Sequence, residues 1–125
     1  MSWNTYVENL ENTNNVAKAA ICGQDGSTWA CSQGWNISPQ EAQTLAAAFK
    51  DSSVLVEKGM FVGGERFVYL SGDDEVLRGR KGQTGLHVSK TKSAIIIGFY
   101  QDPTQPSQCA KEVDNVAEYL KSQNL

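Results

Sequence analysis

The residue types from which acid–base or nucleophilic sites are built occur in this chain, but none of them has a catalytic spacing. The only histidine, His87, lies between Leu86 and Val88 in a strand-like segment. Alternation along a strand places His87 on the face opposite these apolar neighbours, so we expect it to face solvent. No local signature indicates a Ser-His-Asp or Cys-His site. We therefore do not expect His87 to act as a general base.

Other groupings of reactive residues are equally uninformative about catalysis. The adjacent carboxylates at 73–75 fall in a turn, where acidic residues are usually solvated, and Gly79, Gly82 and Gly85 match neither the dinucleotide-binding motif nor the P-loop. The cysteines are odd in number, widely spaced and lack a C-x-x-C pair, which predicts reduced thiols and no metal site. They are Cys22, Cys31 and Cys109. We predict that the chain is not an enzyme and has no catalytic residue, metal or cofactor.

Basic residues are concentrated in one segment. Positions 78–92 hold five of the 11 lysines and arginines and no acidic residue; the five are Arg78, Arg80, Lys81, Lys90 and Lys92. On a chain of net charge -3, this predicts a compact basic patch suited to an acidic protein surface or an anionic lipid headgroup. A solvated hairpin without a partner is the alternative. Nucleic acid is not expected, because the nearest aromatics, Tyr69 and Phe99, fall in other strands.

Large aromatic side chains lie near both ends of the chain. Trp3 and Tyr6 fall on a predicted first helix, Trp29 on a strand and Tyr119 on a predicted last helix. Each could be a core residue that seals its element onto a sheet. Together they could form a shallow groove for a proline-rich segment, because polyproline II is already ordered before binding. Tyr hydroxyls and Trp N–H groups would donate hydrogen bonds to the peptide carbonyls.

Helices at the two ends and strands between them must position these side chains. Ser2 can cap a first helix, and Asp-Gly at 25–26 centres a hairpin turn. Ser38 begins a capping box with proline at the first helical position. A last helix is predicted from about 106 to 123. The helix after Ser38 should bury Ala42, Leu45, Ala46 and Phe49.

Between positions 59 and 100 the sequence alternates between apolar segments and short turns. The segments 60–62, 67–70, 76–81, 86–90 and 94–100 predict consecutive strands of an antiparallel meander. We therefore predict an α+β fold forming a single domain over 1–125. In it, a central antiparallel meander sheet carries the N- and C-terminal helices packed together on one face and shorter helices on the other. No apolar run approaches membrane-spanning length and no signal-peptide pattern is present, so we expect a cytosolic protein.

Five short motifs occur in order along the whole chain. They are Ser-Trp-x-x-Tyr-Val at 2–7, Asp-Gly-x-x-Trp at 25–29, Arg-Gly-Arg-Lys-Gly at 78–82 with Ser-Lys-Thr at 89–91, Gly-Phe-Tyr at 98–100, and Pro-x-x-Cys at 106–109 before a helix ending in Tyr119-Leu120. No single motif is decisive. Their joint spacing resembles the profilin family, and most nearly its plant and amoeboid branches.

The resemblance implies a monomeric, cytoplasmic protein of the actin cytoskeleton and cell cortex. Such a protein binds monomeric actin, promotes nucleotide exchange on it and regulates its polymerisation. It also binds proline-rich proteins such as formins, and phosphoinositide headgroups at a surface overlapping the actin site. The implied proline-binding residues are Trp3, Tyr6, Trp29, Tyr119, Leu120 and Leu125. Because the last of these is often aromatic in the family, Leu125 should weaken proline binding by about 0.5–1.5 kcal/mol.

Two further surfaces follow from the resemblance by motif position. The implied actin-binding residues are Arg66, Tyr69, Arg78, Arg80, Lys81, Lys111 and Asn115. The implied phosphoinositide-binding residues are Arg78, Arg80, Lys81, Lys90 and Lys92. Affinities, ligand preferences and the role of Trp35 do not follow from the sequence.

Two other functions stay open. The chain could be a profilin-fold adaptor that binds proline-rich peptides or phosphoinositides without significant actin binding. It could also be a phosphoinositide-binding module whose aromatic residues are all core. The first depends on whether Arg66, Arg78 and Lys111 share one surface, and the second on the exposure of Trp3 and Tyr6.

Overall fold

The computed structural model describes residues 2–125, which form four helices and seven strands. The helices are α1 (Trp3–Asn12), α2 (Pro39–Ala48), α3 (Ser53–Lys58) and α4 (Pro106–Ser122). The strands are β1 (Lys18–Gly23), β2 (Thr28–Cys31), β3 (Met60–Val62), β4 (Glu65–Gly72), β5 (Val76–Lys81), β6 (Thr84–Lys90) and β7 (Ala94–Tyr100). No helix in this part of the chain is long and apolar enough to cross a membrane.

The strands form one antiparallel sheet in the order β2-β1-β7-β6-β5-β4-β3. The run from β3 to β7 is the predicted meander, and β1 then pairs with β7, which brings the first hairpin beside the last strand. Because β7 lies inside the sheet and is covered on both faces, it is buried along its whole length. The α+β prediction is confirmed, including the order of helices and strands.

Each face of the sheet is covered by its own pair of helices. The terminal helices α1 and α4 cover one face over a core that includes Val7, Leu10, Val113 and Leu120. Helices α2 and α3 cover the other face over a core built on Leu45, Leu55, Met60, Phe67 and Leu86. The predicted placement of terminal helices on one face and shorter helices on the other is confirmed.

Helix starts follow the local chemistry of the sequence. The Ser38 hydroxyl accepts from the Glu41 backbone N–H at 3.1 Å, and the Glu41 carboxylate accepts from the Ser38 N–H at 3.0 Å, which is the predicted capping box. Ser2 caps α1 as predicted. Within α2 the buried set differs by one residue: Ala48 is buried, whereas Ala46 is only half-buried. Helix α3 has no side-chain cap and was not located from the sequence.

The same Glu41 carboxylate connects α2 to the turn between β3 and β4. It accepts from the backbone N–H groups of Gly63 at 3.1 Å and Gly64 at 2.9 Å. Both glycines have positive φ, which residues with a Cβ rarely adopt. Trp35 is buried against the other side of this turn and packs on Phe99, so Trp35 is a core residue of the α2–α3 face.

The expectation that His87 faces solvent is wrong. Alternation does place His87 opposite Leu86 and Val88, but α4 covers that face of β6, so His87 is only 2% exposed. Alternation assigns a residue to a face of the sheet and does not say whether another element covers that face. His87 therefore lies beneath the last helix.

Candidate functional site

Four aromatic side chains form a continuous row where α1, β2 and α4 meet; we call it the aromatic surface. The Trp3 ring centroid lies 4.8 Å from that of Trp29 and 5.7 Å from that of Tyr6. Tyr6 in turn lies 6.2 Å from Tyr119. Trp3 and Tyr119 are thus much closer than two helix diameters, about 20–24 Å, as expected for terminal helices that pack side by side. The structure brings together residues from three separate parts of the chain.

The aromatic surface is partly core and partly exposed. Trp3, Tyr6 and Trp29 are half-buried and pack against the core beneath α1 and α4, while Tyr119 is 49% exposed. Trp3, Tyr6 and Trp29 therefore contact the core and are also partly open to solvent, and the binding of a proline-rich segment at this surface stays a prediction. An all-core arrangement of the aromatic residues is excluded by these exposures.

Hydrogen bonds connect one end of this surface to the neighbouring turn. The Trp29 Nε1–H donates to the Ser27 hydroxyl at 3.0 Å, and Ser27 donates to the Asp25 carboxylate at 2.6 Å, which lowers the pKa of Asp25. The Trp29 N–H, which was expected to donate to a peptide carbonyl, is therefore already used within the protein. Further along the aromatic row, partial burial and the adjacent Tyr119 raise the pKa of Tyr6.

The two leucines assigned to the groove have different positions. Leu120 is fully buried, so its side chain supports the aromatic surface from beneath and is not available for ligand contact. Leu125 is 36% exposed. Its backbone oxygen accepts from the Ser93 N–H at 2.8 Å, the Ser93 hydroxyl at 2.7 Å and the Thr91 hydroxyl at 3.0 Å. These bonds attach Leu125 to the turn between β6 and β7.

A second concave surface lies between the sheet and the first half of α4; we call it the helix–sheet groove. Its volume is about 470 Å³, and Arg78, Arg80 and Lys111 line it together with one carboxylate, Asp114. Apolar and aromatic side chains complete the lining, among them Leu70 and Tyr100. Three cations against one carboxylate make the groove suited to an acidic partner.

The five basic residues of positions 78–92 do not form one compact patch, so that prediction is wrong. Arg78 and Arg80 line the helix–sheet groove, whereas Lys81 falls on the opposite face and its ammonium lies 2.9 Å from Glu65. Lys90 lies over the Phe49 ring at 5.9 Å, on the α2 side. Lys81 pairs with Thr84 next to the β5–β6 turn, which leaves Lys90 about 20 Å away along β6.

The seven residues assigned to actin binding are only partly brought together. Arg78, Arg80 and Lys111 share the groove, and Asn115 is exposed one helical turn beyond Lys111. Tyr69 instead packs against the core on the α2–α3 side. The Arg66 Nε donates to the Lys58 backbone oxygen at 2.8 Å, beside the C-terminal end of α3. Arg78 and Lys111 therefore share a surface whose lining does not include Arg66.

Sequence reasoning missed a hydrogen-bonded cluster at the floor of this groove. The His87 Nε2 lies 2.8 Å from Asp114 Oδ1, and the Ser89 hydroxyl donates to the same oxygen at 2.5 Å. Burial lowers the pKa of His87, and the carboxylate of Asp114 opposes that effect. Asp114 follows Lys111 at a spacing that puts both on one side of α4, which was the only sequence signal for this contact.

The structure offers no reactive thiol or metal cluster in the part of the chain it describes. Burial raises the pKa of Cys22 to about 11 and that of Cys109 to about 12, so both stay protonated at neutral pH. Cys22, Cys31 and Cys109 are free thiols. Across residues 2–125, no group of three or more His, Cys, Asp or Glu side chains could hold a metal ion.

Comparisons with known proteins agree with this architecture. The family model described as Profilin matches residues 1–125. The chain is 44% identical over 126 residues to a profilin of Branchiostoma belcheri and to profilin-2 of Acanthamoeba castellanii, covering 100% of both chains in each case. Equal identity to an animal and an amoeboid protein does not single out one branch of the family.

Solved structures match equally well. The crystal structure of Acanthamoeba castellanii profilin II superposes with a TM-score of 0.96 at 42% identity, covering 99% of this chain and 100% of that one. Mouse profilin IIa in complex with a double repeat from the FH1 domain of mDia1 matches with a TM-score of 0.84 at 19% identity, covering 100% of both chains. The second likeness concerns the fold alone. Together with the family match, these similarities show that the chain belongs to the profilin family.

Proposed function

We propose that this protein binds monomeric actin and proline-rich ligands at two separate surfaces and so regulates actin polymerisation. The observation that carries the proposal is the continuous aromatic row from Trp29 through Trp3 and Tyr6 to Tyr119, which lies apart from the cationic helix–sheet groove. A protein with two such surfaces can hold an actin monomer and a proline-rich partner at once. It acts by binding and not by catalysis.

The aromatic surface is the proposed site for proline-rich ligands such as formin segments. Flat aromatic faces that are already held by the core lose little conformational freedom when a peptide binds. A polyproline II segment also needs donors for its carbonyls, and the Tyr119 hydroxyl is on an exposed side chain. The mouse relative, whose structure holds an FH1 repeat, makes a proline-rich formin peptide the first ligand to test.

The helix–sheet groove and the adjacent face of α4 form the proposed actin site. Arg78, Arg80 and Lys111 would meet acidic side chains of the partner, and the exposed Val68 and Leu70 of β4 would supply apolar area. We expect bound actin to exchange its nucleotide faster and to be delivered to growing filament ends. Tyr69, Arg66 and Lys81 are expected to contribute less, because their contacts are made elsewhere.

Phosphoinositide binding is proposed at the same groove and would compete with actin. Arg78, Arg80 and Lys111 line the same groove and would together contact a headgroup there. Lys81, Lys90 and Lys92 would not join them, because they lie on the other face or in the β6–β7 turn. We expect the protein to act in the cytoplasm, with the actin cytoskeleton and the cell cortex as its sites of action.

The second candidate is a profilin-fold adaptor that uses the aromatic surface but binds actin too weakly to matter. The position of Arg66 outside the groove lining favours it slightly. A titration of fluorescent monomeric actin, followed by anisotropy and by nucleotide exchange, separates the two. Micromolar or tighter binding that Arg80→Glu weakens supports the actin-binding function. No binding at tens of micromolar, with proline-peptide binding retained, supports the adaptor.

A further inference from the structure

His87 is a buried titratable group directly beneath the helix–sheet groove. It pairs across the sheet with Arg78, so the two side chains lie on the same face with Cβ atoms about 4.5–5.5 Å apart. Its ring is only 2% exposed, yet it forms part of the groove lining. Any charge that enters the groove will therefore act on His87 with little intervening water.

The hydrogen bonds of His87 decide what protonation changes. A carboxylate only accepts, so the Nε2 atom that faces Asp114 at 2.8 Å carries the hydrogen of the neutral ring. A second proton goes to Nδ1 and leaves the bond to Asp114 in place. The Ser89 hydroxyl donates to the same Asp114 oxygen at 2.5 Å, a bond that does not involve Nδ1. Protonation thus adds a positive charge to the groove floor without releasing α4.

The charged surroundings of His87 come from every element packed against it. Helix α4 contributes Asp114, Lys111 and the thiol of Cys109. Strand β5 contributes Arg78 and Arg80, and β7 contributes Tyr100. Further away, beyond Ser89, lie Glu75, Glu118 and Lys121. Burial lowers the pKa of His87 most and Arg78 lowers it further, while Asp114 raises it. The ring is therefore neutral at pH 7 in the free protein. An acidic group beside Arg78 would cancel part of the repulsion that opposes the imidazolium.

We propose that binding in this groove is coupled to protonation of His87. An acidic protein surface that docks on Arg78 and Arg80 causes His87 to take up a proton, so that binding tightens at acid pH. The inference rests on the proposed actin-binding function, since it concerns the same groove. It goes beyond that function because it assigns a pH dependence to one residue of this chain.

The sign of the effect follows from linkage. If the partner raises the pKa of His87, the complex binds more protons than the free protein at pH values between the two pKa values. Affinity is then highest at acid pH and falls as the pH rises through the pKa in the complex. A rise of one unit on binding gives about a tenfold gain in affinity between the alkaline and acid limits.

The first test uses the fact that His87 is the only histidine. The imidazole Cε1–H signal of His87 is followed by NMR from pH 8 to pH 5 in wild-type protein labelled at histidine. The titration is done on the free protein and on the protein saturated with unlabelled monomeric actin. We expect the titration midpoint to move to higher pH in the complex. An unchanged or lower midpoint overturns the proposal, and this readout needs no variant.

The second test compares actin affinity at pH 8 and pH 6 for wild type, His87→Gln and Ser89→Ala. Gln keeps an N–H that can reach Asp114 but does not titrate, so His87→Gln should lose the extra gain at pH 6 that wild type shows. Ser89→Ala removes the other donor to Asp114 and keeps the titrating ring, so it should retain that gain. Retention in His87→Gln, or loss in both variants, overturns the proposal.

Failure of the proposed function would look different. If actin binds at neither pH, the actin-binding proposal fails, and a polyglutamate peptide replaces actin as the acidic probe in the NMR titration. A midpoint that moves upward with the peptide then supports the role of His87. A midpoint that does not move overturns it independently of actin.

Discussion

The ring of Tyr6 on α1 lies 6.2 Å from the ring of Tyr119 on α4, centroid to centroid. The two helices come from opposite ends of the chain and meet on the same face of the sheet. Their contact joins the aromatic side chains of α1 and β2 to those of α4. The aromatic surface therefore exists only when the terminal helices are docked, so its integrity reports on the packing of both.

Trp3→Ala should raise the Kd for a proline-rich formin peptide by roughly 30-fold or more, because a central aromatic anchor is worth about 2 kcal/mol or more. Trp3 contacts both Trp29 and Tyr6, so its loss interrupts the row. Isothermal titration with the peptide gives the change. Phe61→Ala is the matched control, since Phe61 is 46% exposed on β3 at the far edge of the sheet. Equal losses of peptide and actin binding would mean that Trp3 is structural.

Arg80→Glu and Lys81→Glu should differ although the residues are adjacent. Arg80 lines the helix–sheet groove, so reversing its charge should weaken actin binding by at least about tenfold and binding to phosphoinositide vesicles with it. Lys81 is paired with Glu65 on the other face, so Lys81→Glu should change either affinity by less than about threefold. Anisotropy with actin and vesicle co-sedimentation measure both. Comparable losses in the two variants would place Lys81 in the site after all.

Leu125→Phe should strengthen proline-peptide binding by about 0.5–1.5 kcal/mol, the contribution of an added aromatic pair. The backbone of Leu125 is held by Thr91 and Ser93, so the new ring would be attached to an ordered position. Fluorescence titration with the same formin peptide measures the gain. Leu125→Ala serves as the control for size, and actin affinity should not change in either variant. An unchanged affinity for the peptide in both variants would show that residue 125 does not contact it.

Glu41→Ala should lower the free energy of unfolding by about 1–3 kcal/mol, since it removes the acceptor for three backbone N–H groups. The loss would loosen both the start of α2 and the β3–β4 turn. Urea denaturation followed by circular dichroism gives the value. Glu8→Ala, an exposed helical change on α1, is the matched control and should be nearly neutral. Equal effects of the two substitutions would mean that the hydrogen bonds of Glu41 do not stabilise the protein.

Local chemistry made several elements predictable from the sequence. The capping box at Ser38 and the helix cap at Ser2 depend on residues within one helical turn, and the hairpin around Gly26 depends on a turn residue with positive φ. Strand β7 could be read from its continuous apolar run. Interactions of this kind are short in sequence, so no knowledge of distant elements is needed. The strand ends were less accurate, since β4 and β6 begin two residues earlier than predicted.

The site was only partly predictable. Motif spacing identified the aromatic residues but also assigned Leu120 to the groove, although Leu120 belongs to the apolar stripe of the last helix and is fully buried beneath them. The five basic residues of positions 78–92 are close together in the sequence, but the expectation that they form one patch in the folded protein was wrong. Antiparallel pairing carries Lys90 away from the turn near Lys81, and alternation sends Lys81 to the opposite face from Arg80.

The sequence by itself determined the strands and the helices other than α3, their order, and the residue types from which the two surfaces are made. Only the tertiary structure decided that α4 covers β6, and this one packing event buries His87, brings Asp114 to it and sets Lys111 beside Arg78. The physical reason is that propensities and caps act over a few residues. Which face of a sheet becomes buried depends instead on helices that lie far away in the chain.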